Sequence, residues 1–111
     1  MITTHVLDTS RGGGAGGVTV ILELRHLSGW IMVSRGVTDE HGRLTTLLEG
    51  RQPTPGTFRL TFDIGTYFRD QGISTPFFPE AKVTFVVRDT EEHYHVPLLV
   101  SPFGFSTYRG A

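Results

Sequence analysis

The chain has 111 residues, enough for one domain and too few for two. Ten Lys+Arg stand against eleven Asp+Glu, for a formal net charge of -1, and no basic block interrupts the sequence, so composition gives no reason to expect nucleic acid as a partner. Cysteine is absent, which excludes disulfides and thiolate-based zinc or nucleophile chemistry.

Residues Met1–Ser10 have neither a charged nor an apolar leader-like region. No apolar run approaches the roughly 20 residues a membrane helix needs. The expectation is a cytoplasmic protein without a membrane partner. Within the first segment, Thr3–Leu7 is a short strand candidate. Gly12, Gly14 and Gly17 then match a G-x-G-x-x-G pattern. A dinucleotide site would need a helix to open there, so that its free N–H groups face phosphate. Strand-like sequence follows instead, and a flexible surface loop is the expectation.

Val18, Val20, Leu22 and Leu24 alternate with Thr19, Ile21, Glu23 and Arg25, the period-two pattern of a strand with one buried face. Gly29–Ser34 and Leu44–Leu48 are shorter candidates, separated by the turn Asp39-Glu40-His41-Gly42. Gln52-Pro53-Thr54-Pro55-Gly56 is a loop. Alternation resumes with Phe58, Leu60 and Phe62. Residues 65–72 read as one short helix, in which Tyr67, Phe68 and Gln71 share a face and Gly72 closes the C-terminus. Val83, Phe85 and Val87 mark another strand, and Tyr94–Val100 and Ser106–Arg109 complete the set. Seven to eight short strands and one short helix predict an all-β, two-sheet sandwich over residues 1–111.

His93 and His95 fall on one face of a strand and Tyr94 on the other. With His5 as a third ligand they could hold zinc with one open position. Alternatively, one imidazole is a general base, because it titrates near neutral pH. A polar, solvated strand face explains the same spacing. Arg43 follows the turn glycine Gly42; such an arginine is ordinarily surface charge, but its fork of donors also suits an oxyanion. His26 and His41 read as solvent-facing. The aromatic C-terminal run Ser101–Ala111 is unlike a loose polar tail and reads as ordered. No Gly-x-Ser-x-Gly elbow is present.

Several stretches together resemble the transthyretin-related 5-hydroxyisourate hydrolases. They are Thr4-His5-Val6-Leu7-Asp8-Thr9, Thr38-Asp39-Glu40-His41-Gly42-Arg43-Leu44, residues Phe62–Phe68, Phe77-Phe78-Pro79-Glu80, residues His93–Pro102, and Ser106-Thr107-Tyr108-Arg109-Gly110. The resemblance spans nearly the whole chain. It implies a transthyretin-like sandwich assembled as a homotetramer, a dimer of dimers, with sites at the dimer–dimer interface. It implies hydrolysis of 5-hydroxyisourate to 2-oxo-4-hydroxy-4-carboxy-5-ureidoimidazoline in urate breakdown, with no cofactor and no metal. His5, Arg43 and His95 match the family's catalytic residues, and Tyr108, Arg109 and Gly110 match its substrate-side C-terminal motif. The family usually has serine where this chain has Ala111. His93 is expected at the rim, behind His95. The rival readings are a non-catalytic small-ligand carrier, which does not require the His5, Arg43 and His95 set, and a zinc hydrolase using His5, His93 and His95.

Overall fold

A computed structural model describes all 111 residues. Nine strands and one helix follow the order β1 (Ile2–Asp8), β2 (Gly13–Gly14), β3 (Thr19–His26), β4 (Gly29–Val37), β5 (Arg43–Leu44), β6 (Gly56–Phe62), α1 (Ile64–Asp70), β7 (Ala81–Val87), β8 (Tyr94–Ser101) and β9 (Gly104–Thr107). They form two sheets. One has the order β2-β1-β8-β9, with β5 also paired to β1; the other is β4-β3-β6-β7. The pairing of β1 with β8 is parallel and all others are antiparallel.

The alternation that predicts the strands also builds the core. Val18, Val20, Leu22, Phe58, Leu60 and Phe62 are buried from one sheet, and Ile2, Val6, Leu98 and Val100 face them from the other. Burying each such side chain contributes on the order of 1.5–3 kcal/mol. Helix α1 closes one end of the sandwich. Asp63 caps its N-terminus by accepting from the Thr66 N–H at 3.2 Å. Beyond its C-terminus Gly72 takes a left-handed φ of 89°, and the Ile73 N–H reaches back to the Phe68 carbonyl. Ile64, Tyr67 and Phe68 carry its packing.

Three local expectations differ. Gly13–Gly14, expected as loop, pair with Leu7 and Asp8 and extend the first sheet. The strand expected over Leu44–Leu48 is only Arg43–Leu44, because the chain turns at once and buries Leu47 and Leu48 from that turn. The last strand begins at Gly104, two residues earlier than Ser106, because β8 returns through a two-residue turn at Pro102 and Phe103.

Candidate active site

Strand register brings the site together on the outer face of the β1–β8 sheet. On β1, Ile2, Thr4, Val6 and Asp8 point to the core, leaving Thr3, His5 and Leu7 on the opposite face. Thr3 lies opposite His95 of β8, and His5 lies opposite Pro97. On the other side of β1, Arg43 of β5 lies opposite His5. Residues 5, 43 and 95 are thus collected by three adjacent strands. A cavity of about 240 Å³ opens there, lined by Met1, Thr3, Arg43, Thr45, His93, His95 and neighbouring residues. His5 flanks it beside Arg43.

The turn before β5 organises two of these groups. An Oδ1 of Asp39 accepts from the backbone N–H of His41 at 2.8 Å and of Arg43 at 2.9 Å. These two bonds hold the Asp39 carboxyl below its usual 3.8. The His41 carbonyl in turn accepts from His5 Nε2 at 2.9 Å. A carbonyl cannot donate, so neutral His5 carries its proton on Nε2 and keeps a free lone pair on Nδ1. Gly42 makes the turn possible, with a φ of 82° and backbone packed where a Cβ would stand.

The other pair of imidazoles shares one hydroxyl. Thr3 is 3% exposed, and its Oγ1 is 2.7 Å from His93 Nε2 and 2.8 Å from His95 Nδ1. Both rings therefore lie on one face, as the spacing predicts. His95 Nε2 makes no hydrogen bond within the chain. Burial first, then charge on His93, His5 and Arg43, hold the His95 imidazole below its ordinary 6.5. From the other side the Gly110 N–H donates to the His95 carbonyl at 2.8 Å. A Cβ on Gly110 would lie 2.5 Å from His95 Cδ2, so only glycine lets the C-terminal segment press against this ring.

Tyr108 and Arg109 are not brought to this cavity. The Arg109 guanidinium lies over the Tyr94 ring, 4.6 Å from its centroid, and donates to Glu92 at 3.2 Å. With Tyr108 it lines a larger space of about 450 Å³ between β7, β8 and the C-terminal segment. That larger space has no imidazole in its lining, whereas His93 and His95 both line the smaller one. No three His, Asp or Glu side chains converge as a set of metal ligands, and His5, His93 and His95 each spend a ring nitrogen on Thr3 or the His41 carbonyl. Sequence reading passed over Thr3 and Asp39. Asp39 carried a signal, the aspartate that opens an Asp-x-x-Gly turn. Thr3 carried none until β1 was paired with β8.

The sandwich and its polar face define a class: a transthyretin-type domain with a histidine–arginine site on the outside of one sheet. The chain belongs to the HIUase/Transthyretin family, whose model matches residues 2–110. It is 43% identical over 111 residues to the 5-hydroxyisourate hydrolase of Salmonella typhimurium, covering 100% of this chain and 81% of that one. Among solved structures it superposes on the 5-hydroxyisourate hydrolase of Klebsiella pneumoniae with a TM-score of 0.87 and 34% identity, covering 99% of this chain and 97% of that one. It superposes on sea bream transthyretin in complex with thyroxine with a TM-score of 0.92 and 33% identity, covering 99% of this chain and 94% of that one. Backbone similarity alone therefore does not separate hydrolase from carrier.

Proposed function

We infer that this chain is a hydrolase that opens 5-hydroxyisourate to 2-oxo-4-hydroxy-4-carboxy-5-ureidoimidazoline. The observation that carries the reading is the convergence of His5, Arg43 and His95 on one sheet face beside a cavity of about 240 Å³. Hydrolysis of a cyclic amide-like C–N bond needs a base for water, a donor for the oxyanion and an acid for the leaving nitrogen. In the proposed mechanism His5 Nδ1 and His95 Nε2 each offer a lone pair. One takes a proton from water as the oxygen bonds to the carbonyl carbon. Arg43, always charged, steadies the anionic substrate and the developing oxyanion. Collapse breaks the C–N bond, and a protonated imidazole returns its proton to nitrogen.

Gly110 enters the proposal through its contact with His95. Tyr108 and Arg109 would meet substrate only in an assembly. A homotetramer is part of this reading, supported by the unpaired edges of β7 and β9, which flank the larger space and lack the irregularity seen between β3 and β4. A cytoplasmic location is also proposed, and fractionation of expressing cells tests it; no helix is long and apolar enough to cross a membrane.

The test of function is ultraviolet absorbance of 5-hydroxyisourate made freshly by urate oxidase, with and without the protein and with chelator. Decay well above background that survives chelator is expected. Background decay with folded protein would overturn the hydrolase reading in favour of a carrier, and decay abolished by chelator would point to zinc.

A further inference from the structure

We propose that Thr3 is a proton relay and positioning residue, joining the half-buried His95 to the more exposed His93 along the wall of one cavity. This rests on the hydrolase reading above. The Thr3 hydroxyl lies within hydrogen-bond distance of His93 Nε2 (2.7 Å) and His95 Nδ1 (2.8 Å). It has one proton to give and two lone pairs to receive with, so at most one imidazole accepts from it and at least one donates to it. Three arrangements exist, and in the third both imidazoles donate to Thr3, so that no proton can pass on to His93. In the first, His95 donates from Nδ1, Thr3 donates to His93 Nε2, and His95 Nε2 keeps a lone pair for water. In the second, every bond reverses and His95 Nε2 is already protonated, useless as a base. The first arrangement alone gives both a base facing the cavity and a hydroxyl proton aimed at His93.

It also provides an exit for the proton. Water's proton bonds to His95 Nε2. The His95 Nδ1–H bond then breaks as a Thr3 O–H bond forms, and the original Thr3 O–H breaks as His93 Nε2–H forms. One proton has moved from water to His93, the more exposed imidazole of the cavity wall, with no oxidant or co-reactant, and reversal returns it for the leaving nitrogen. The direction follows from the surroundings. His95 is half-buried and faces His5 of β1 and Arg43 of β5, along with His93 just ahead of β8; Gly110 on its remaining side brings no charge. His93 is exposed to water, and the Arg109 guanidinium donates to its carbonyl at 3.3 Å. The pairing of β1 with β8 sets this chain of donors, because it places residue 3 opposite residue 95.

The experiment compares Thr3→Val, which keeps the shape and removes the hydroxyl, with Thr3→Ser, which restores it. In protein carrying nitrogen-15 histidine, NMR should show the His95 proton on Nδ1 in the parent and in Thr3→Ser. In Thr3→Val that preference should be lost, and His93 and His95 should titrate independently. With 5-hydroxyisourate, Thr3→Val should lose about tenfold or more in kcat with KM nearly unchanged, and imidazole buffer should restore part of the loss. Thr3→Ser should stay within about threefold of the parent. Parental His95 protonated on Nε2, or parental kcat and pH profile in Thr3→Val, would overturn the relay. If the parent protein leaves 5-hydroxyisourate at background, the hydrolase reading fails, and the NMR arm still decides the hydrogen-bond chain.

Discussion

His95 is the residue whose surroundings set the pH behaviour of the site. Because burial and neighbouring positive charge disfavour its protonated form, it stays neutral to a pH below 6.5. Neutral imidazole is the base form, so the acid limb of kcat/KM should have its midpoint below 6.5. Arg43→Gln removes one lowering influence but not burial, and NMR titration should show the His95 midpoint rising part of the way back. The same shift affects folding. Between 6.5 and the native midpoint the unfolded chain binds a proton that the native chain does not, so this group's effect is to lower stability as pH falls through that window. His95→Ala and Arg43→Ala should each reduce turnover by about two decades or more while the fold survives. Near-normal turnover in either purified variant would remove that residue from the mechanism. Gly110→Ala tests placement rather than chemistry. Its methyl must push the His95 ring aside, and a loss of roughly ten- to a hundredfold in kcat is expected with His95 resonances displaced.

At the scale of elements, the network joining α1 to β1 holds the rear of the site-bearing strand. Tyr67 OH donates to Asp8 Oδ2 at 2.8 Å, and Asp8 Oδ1 also accepts from the Ser10 backbone. Asp8 is 1% exposed, and burial together with this carboxylate pushes the Tyr67 hydroxyl up from 10.0. Tyr67→Phe keeps the ring and leaves a buried carboxylate oxygen short of a donor. A loss of about 1–3 kcal/mol in urea unfolding is expected, with kcat little changed. Most elements were readable from sequence because one face of each is apolar: Val20, Leu22, Phe58, Leu60 and Phe62 are all buried as alternation requires. What was not readable came from pairing. Gly13 and Gly14 have no pattern of their own and become a strand only because Leu7 and Asp8 lie alongside. Leu44, Leu47 and Leu48 look like a strand, yet two of the three are buried from a turn. For the site, His5, Arg43 and His95 came from motif resemblance, and His93 and His95 were placed on one face by period alone. Asp39 was marked only as the start of a turn, and Thr3 meets its imidazole partner 92 residues away, which no local pattern records.

For the whole molecule, unpaired sheet edges, those of β7 and β9 among them, are the feature an isolated sandwich must resolve. Strand β7 pairs only with β6, and β9 only with β8. In the proposed tetramer a second copy continues both sheets at these edges. Sedimentation should give a mass near four chains. Lysines at Thr84 and Ser106, both exposed on those strands, should shift it to smaller species with the sheets intact. An unchanged mass would place the interface elsewhere.

The parallel contact between β1 and β8 has a kinetic consequence. It joins residues 2–8 to residues 94–100, so nearly the whole chain must be in place before Thr3 meets His95. Closing so long a loop comes before the reward of the contacts it makes, and topologies of this kind fold in milliseconds to seconds. The face that carries the proposed site is therefore expected to assemble among the last parts of the molecule. During refolding, strand signal from the β3–β4 and β6–β7 hairpin-like pairs should recover ahead of activity, and the lag between them measures how late the two ends of the chain find each other.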